Sequence, residues 1–403
     1  RSPHARARIL NIDASDALAL DGVVAVYTAA DLAWLNPMVA TGPMRDGILA
    51  HSRTPLATDV VRHVGDPVAV VLARSPYLAE DGRDLVDVEY EPLEPVLDPI
   101  AALEPDSPLV DEALGTNNIS HLEESAGDVE RAFAEADHVT RLRFHSGRST
   151  AAPIECRGVV AKYEDRAGGR YTIWASTQMP HLLRMFVAPV LGVPEGRVTI
   201  SSPDVGGAFG LKCTVFPEDV VIPAVAKLSG RPVKWIEDRW ENLAAGVHSK
   251  DMICTMEIAA KADGTMTAFR GHFVTDSGAF SSIPFTPLVD SQCAGIYLTS
   301  CYDVRDVAYS VDNPLTNKCQ IGAVRGVGWV PGQLAREVAI DQLARELGKD
   351  PVELRLQNMI GPDVYTTAFG QTYDGGSYAE ALEKARDAVD YASFRERQAK
   401  ARE

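Results

Sequence analysis

The chain has 403 residues, with 39 Lys and Arg against 56 Asp and Glu, and a formal net charge of −17. That acidic balance excludes nucleic acid as a target, because phosphates need a basic face. The 46% hydrophobic and 24% charged content excludes a disordered tail or a disulfide mini-protein. No apolar run approaches the roughly 20 residues of a membrane-spanning helix, and the run from Val220 to Ala226 is broken by Pro223.

At roughly 150 residues per domain, the length predicts two or three domains. Residues 1–100 read as a small α/β unit. GVVAVYT at 22–28 is a short strand, and VVRHVG with PVAVVLA reads as two strands around a Gly65-Asp66-Pro67 turn. Ser75-Pro76 is an N-cap followed by Pro at the first helical position, opening a helix to about Asp84. The strand LVDVEYEPL follows. Residues 101–120 lie in a stretch rich in Pro, Asp, Asn and Ser and read as a linker.

Residues 121–403 read as a larger α+β domain. GDVERAFAEAD is a helix and HVTRLRF a strand. GRYTIWAST is a strand, PHLLRMFVAPVLGV a helix that stops at Gly192, and RVTISSPD a strand that runs into Gly206-Gly207-Ala208-Phe209-Gly210. A helix is expected from Pro217 to Leu228, and two or three longer strands over 233–275. In the helix over 332–347, Ile340, Leu343, Ala344 and Leu347 form one apolar stripe. Gly348 ends it, and Asp350-Pro351 starts the next helix.

Six cysteines stand at 156, 213, 254, 293, 301 and 319, and none forms a CxxC. Protein zinc and iron–sulfur spacings are therefore missing, and the wide spacing predicts reduced thiols in a cytoplasmic protein. No signal peptide is visible. The chain begins at Arg1 rather than Met, and we expect the natural polypeptide to extend past it.

Four segments are candidates for chemistry. The glycines of 206–210 let backbone N–H groups approach an anion or a flat cofactor without a Cβ clash. Taken alone, the segment also reads as a glycine turn with Phe209 plugged into the core. Arg325-Gly326-Val327-Gly328 precedes a helix N-terminus, where anions bind; the alternative is a surface arginine in a turn. Gln178 is either an amide donor to a ligand or a helix-entry residue. Glu155 is either a buried carboxylate with a raised pKa, able to act as a base, or an ordinary half-exposed Glu. The nine His, including His145, His181 and His248, form no HxxxH or HxH pattern, and no GxSxG or P-loop is present.

Several of these segments, taken in order, resemble a known family. RSPHARARI, GVVAVYTAADL, VVRHVGDPVAVVLA and VEYEPLEPVLD resemble the α/β-hammerhead domain of the xanthine dehydrogenase/aldehyde oxidase family. AAPIECRGVVA, WASTQMPHLLR, LGVPEGRVTI, DVGGAFGLK and VRGVGWVPGQLAREVAIDQLARELGKDPVELRLQNMI resemble the first half of that family's molybdenum-cofactor domain. The implied fold is α+β, an N-terminal hammerhead followed by the first half of a molybdopterin-binding domain. The resemblance implies that Gln178 hydrogen-bonds an oxo ligand of molybdenum. It implies that Gly206, Gly207, Ala208, Phe209 and Gly210 lie against the metal and pterin, and that Arg325 with Gly326 contacts the site. The metal is held by the cofactor's dithiolene, so no protein metal ligand is implied.

The implied activity is hydroxylation with water-derived oxygen, electrons leaving through iron–sulfur clusters and FAD on an iron–sulfur subunit and a flavin subunit. The cofactor is expected in its cytosine dinucleotide form. The family's catalytic Glu sits in a Gly-rich loop that this sequence does not contain. The resemblance therefore implies a second molybdenum-subunit half as partner, as in split subunits such as that of nicotinate dehydrogenase. A non-catalytic scaffold or a truncated fragment is the alternative. Carbon monoxide oxidisers carry a Cys where Gly326 stands. Purine oxidisers carry a Glu at the place of Cys213, an Arg at Val247 before His248, and a Phe at Val327. An aromatic N-heterocycle or an aldehyde remains as substrate.

Overall fold

The computed structural model describes residues 1–40, 47–166, 168–285 and 288–403. In the N-terminal part, Ala7–Asp13 lies between Val60–Val61 and Asp87–Pro92, antiparallel to both. A second ribbon pairs Val23–Thr28 with Ala69–Ala73 and is covered by the helix Pro76–Asp84. The Ser75 hydroxyl caps that helix on the Leu78 N–H, as the Ser-Pro signal predicts. Gly82 sits where a Cβ would fall 2.8 Å from Val23, so the helix closes directly on the ribbon.

The expected pairing around Gly65-Asp66-Pro67 does not form. The two runs belong to different sheets. Backbone bonds from Ser2 N–H to Asp66 and from Gly65 N–H to Ser2 occupy the turn, and the buried Asp66 carboxylate holds Arg53 and the Arg62 N–H. The stretch read as a linker carries two 3₁₀ turns, Ala101–Leu103 and Glu112–Leu114. Val96, Ala102, Val110 and Ile119 pack with Phe280 and Leu315. Its polar composition conceals this because Asn117 satisfies the backbone internally, accepting from Val110 N–H and donating to the Ala102 and Pro108 carbonyls.

Two sheets build the larger part. The first runs Val198–Ser201, Arg170–Ala175, Gly158–Glu164, Val233–Ile236. Its one parallel pair, Arg170–Ala175 with Val198–Ser201, is connected through the helix Pro180–Val190, as a parallel pair requires. Tyr171, Ile173 and Ala175 alternate inward to meet Leu183, Val187 and the helix Glu218–Ser229, together with Leu32, Leu35 and Leu56 from the N-terminal part.

The second sheet runs Asn118–Ala126, Asp306–Pro314, Met266–Thr275, Met252–Ala260, His138–Ser146. The helix Trp329–Glu346 lies on it, burying Ala335, Ala339, Ile340, Leu343 and Ala344 against Met256, Ile258 and Phe269. The expected stripe is on this face, and the helix starts three residues earlier than its periodicity indicates. Gly348 takes φ +67 just beyond the end, and Asp350 caps the next helix, Pro351–Asn358. The region 233–275 also contains a helix, Arg239–Ala245, closed by a capping box between Asp238 and Glu241.

An ion cluster clamps the N-terminus to the larger part. Arg1 reaches Glu218 and Glu241, each at 2.6 Å, and Arg157 bonds Glu237 and Glu218.

Candidate functional site

Three chain segments far apart in sequence meet at one end of the first sheet. Strand Arg170–Ala175 ends and Gln178 follows, two residues before the helix Pro180–Val190. Its N–H donates to the Lys212 carbonyl at 3.1 Å, and its Oε1 accepts from the Gly210 N–H at 2.9 Å. That bond assigns the amide: oxygen faces the loop, so Nε2 is the free donor end. Gln178 is exposed and Nε2 has no partner among the described residues.

The glycine loop leaves strand Val198–Ser201. Gly207 and Gly210 take φ +96 and +104, conformations a side chain rarely adopts. A Cβ on Gly206 would lie 2.6 Å from Glu155 Cβ, and one on Gly210 would lie 2.4 Å from the Ala323 carbonyl oxygen. The loop is thus squeezed between the Glu155 side chain and the Ala323 backbone, which leave no room for a side chain there. Phe209 is not plugged into the core: it is 51% exposed at φ +56.

The third segment is the Arg325 loop. Its Arg325 N–H donates to the Phe209 carbonyl at 2.8 Å, stapling it to the glycine loop. Gly326 and Val327 follow at φ +91 and +45. The Arg325 side chain is exposed and forms no ion pair with a described residue. Gln178, the glycine loop and Arg325 are therefore brought together, while His145 lies on the strand His138–Ser146 of the second sheet and His181 is exposed in the first turn of the helix after Gln178. His145 pairs with Asp251. His248 accepts from Cys319 Sγ at 3.3 Å while donating to the Leu243 carbonyl, and its backbone pairs with Gln320 and Gly322.

Glu155 is not a base with a raised pKa. Burial alone would push its carboxyl up, but the Lys212 ammonium at 2.6 Å, the Ser176 hydroxyl at 2.8 Å and the Gly206 N–H at 2.8 Å hold it below the ordinary value. It is an ionised strut under the glycine loop. Its N–H also donates to the Gly206 carbonyl, so residue and loop clasp each other twice. Arg239 fixes the other side of the same turn, donating to the Pro153 and Ile154 carbonyls.

Lys212 and Lys250 escaped the sequence reading. Lys212 is 1% exposed; its place two residues after the glycine loop was the only signal. Lys250, at φ +72, carried none. Its Nζ donates to the carbonyls of Val324, Arg325 and Val327 at 3.1, 2.9 and 3.1 Å.

The arrangement offers side-chain-free backbone, an amide donor and a cation with no ion pair among the described residues, at one exposed place. That donor set suits a flat, polyanionic ligand. No group of three His, Cys, Asp or Glu able to hold a metal occurs among the described residues.

Fold and site together define a hammerhead domain joined to a cofactor-cradling α+β domain. Residues 1–94 match the aldehyde oxidase and xanthine dehydrogenase a/b hammerhead domain, and residues 110–359 the molybdopterin cofactor-binding domain. The chain belongs to the xanthine dehydrogenase/aldehyde oxidase family of molybdopterin proteins. It is 41% identical, over its whole length and 49% of the relative, to the nicotine 6-hydroxylase large subunit of Paenarthrobacter nicotinovorans. It is 32% identical to the nicotinate dehydrogenase large molybdopterin subunit of Eubacterium barkeri, over 96% of this chain and 87% of the relative. The solved quinoline 2-oxidoreductase of Pseudomonas putida 86 superposes with a TM-score of 0.93 at 40% identity, over all of this chain and 51% of that one. The chain spans about half the length of most of the curated relatives it matches.

Proposed function

We propose that this chain is the cofactor-binding first half of a molybdenum hydroxylase subunit that oxidises an aromatic N-heterocycle, with an aldehyde as the second choice. The carrying observation is the pair of hydrogen bonds, Gly210 N–H to Gln178 and Arg325 N–H to Phe209, that assembles one donor-lined face. The family membership and relatives whose names carry nicotine, nicotinate and quinoline support the heterocycle. Bound there, a molybdenum–pterin dithiolene would supply the electron-accepting centre for hydroxylation with oxygen from water. Gln178 Nε2 would donate to an oxygen at that centre. Gly206, Gly207, Ala208, Phe209 and Gly210 would lie along the cofactor face, and Arg325 with Gly326 would steady an anionic group.

The general base would come from a second half of the subunit. Glu155, the carboxylate bonded to the glycine loop, is held ionised by Lys212 and committed to three donors. Apolar side chains around the site also support a covering partner: Phe209, Ile154 and Trp329 are 51%, 96% and 49% exposed. We further propose a cytosine dinucleotide form of the cofactor, iron–sulfur clusters and FAD on partner subunits, and a cytoplasmic complex.

Metal analysis with intact-mass spectrometry on the complex from its native host tests this. Molybdenum near one per copy and a sequence carrying the missing half are expected; neither would leave only a scaffold or fragment. Within such a complex, Arg325→Ala and Gln178→Ala should each lower turnover at least tenfold while leaving the melting temperature within a few degrees. Parallel loss of both quantities would count against a role at the cofactor.

A further inference from the structure

The Arg325 loop contains two successive residues with positive φ, one of them the β-branched Val327. Such a backbone persists only when its surroundings over-determine it. Three carbonyls of this loop, those of Val324, Arg325 and Val327, converge on one ammonium. Carbonyl dipoles pointing at one spot repel each other unless a cation sits there. A lysine has three N–H donors, and here each finds one carbonyl. Lys250 is itself held at φ +72, next to Ser249, whose backbone pairs with Ser149 in both directions, so the donor is delivered from a fixed base.

We propose that Lys250 is the positioning residue of the Arg325 loop. It gathers the three carbonyls into one conformation and so sets Arg325 beside Gln178 and the glycine loop.

A second observation shows how this cation is tolerated in a half-buried place. Asp290, in the first turn of the helix Leu288–Ile296, is 4% exposed, and its Oδ1 has no hydrogen-bond partner among the described residues. Its backbone carbonyl abuts Gly328, where a Cβ would stand only 1.6 Å away. The backbone of Asp290 thus lies against the far end of the same loop, and the Lys250 ammonium is the opposite charge its carboxyl feels. Burial pulls the Lys250 ammonium below its ordinary pKa and pushes the Asp290 carboxyl up to about 7, and each partner's charge opposes the other's shift. The four positions 250, 290, 325 and 328 form a base, a counter-charge and a clamped loop.

The test is hydrogen exchange of the intact purified protein, read on peptides spanning 322–330, in wild type, Lys250→Met and Lys250→Arg. Methionine keeps the stem and removes the donors; arginine restores donors and charge. Lys250→Met should speed exchange of the Arg325 and Val327 amides at least tenfold, with peptides of the helix Glu218–Ser229 unchanged. Lys250→Arg should recover most of the protection. Unchanged exchange at 322–330 in Lys250→Met would overturn the proposal, as would equal acceleration throughout the protein. So would a loop as loose in Lys250→Arg as in Lys250→Met. The loop claim stands without the functional reading, while its consequence for turnover rests on that reading. A loosened loop with undiminished turnover would support the positioning role and sink the role given to Arg325, so the two failures are distinguishable.

Discussion

At the scale of single residues, the site is shaped by charges that face backbone rather than a ligand. Glu155 takes the Gly206 N–H and Lys250 takes three carbonyls of the opposite loop. Each fixes a segment that no regular structure would hold. For Glu155 the consequence is a cost shared with Lys212, whose buried ammonium has it as the one anionic partner among the described residues. Glu155→Gln leaves this cation uncompensated, and we expect a loss of roughly 2 kcal/mol by urea denaturation, moderated because the carboxylate faces water. Glu155→Asp, too short to span all three donors, should fall between. A Glu155→Gln protein as stable as wild type would remove the strut argument.

At the scale of elements, glycine positions separate steric demand from mere permissiveness. Gly210 combines φ +104 with a carbonyl oxygen 2.4 Å from any Cβ, whereas Gly348, ending the helix Trp329–Glu346, has φ +67 and open space around it. Gly348→Ala should cost only about 1 kcal/mol, the ordinary penalty for a left-handed residue. Gly210→Ala must also move a backbone and should cost about 3 kcal/mol or more. It should also loosen the bond from Gly210 N–H to Gln178. Matched denaturation curves decide this, and equal costs would show that the contact between the glycine loop and Ala323 relaxes freely.

At the scale of the whole molecule, the ion cluster of Arg1, Arg157, Glu218, Glu237 and Glu241 joins the N-terminal part to the cofactor domain. Burial would raise the Glu218 carboxyl, but the charges of Arg157 and Arg1 lower it from 4.5 to about 2. A depressed carboxylate stabilises the fold above its unfolded pKa and stops doing so as the folded pKa is passed. Stability from Glu218, about 3 kcal/mol, should therefore be present above pH 4.5 and fade from there to pH 2. The neighbouring Asp219 has the opposite sign. Burial raises it to about 7 against the Phe216 N–H and Arg157, so its cost grows as pH rises from about 4 to 7. Urea midpoints against pH should show a shallower acid slope in Glu218→Gln and a smaller fall toward neutrality in Asp219→Asn, with the raised Asp290 and the other depressed carboxylates supplying the remainder. Unchanged profiles in both would show that these groups do not titrate with folding.

The signals legible in the sequence were local ones. Ser75-Pro76 and Asp350-Pro351 start helices, and Gly192 and Gly348 stop them, because capping and left-handed backbone depend on residues within one turn. The stripe Ile340, Leu343, Ala344 identified a buried helix face because periodicity needs no partner. The ordered motifs pointed to the hammerhead and cofactor domains, and to Gln178, the glycine loop and Arg325 as one group. What the tertiary structure alone decided are relations between segments distant along the chain. The Gly65-Asp66-Pro67 turn joins two sheets because Ser2 occupies its hydrogen bonds. Glu155 is an ionised strut rather than a base because Lys212, 57 residues on, reaches it. Lys250, mute in the sequence, acquires a task only when residues some 75 positions away present their carbonyls to it. Secondary structure and its caps follow from neighbours in the chain, whereas the charge state and task of a side chain follow from neighbours in space, which one sequence does not list.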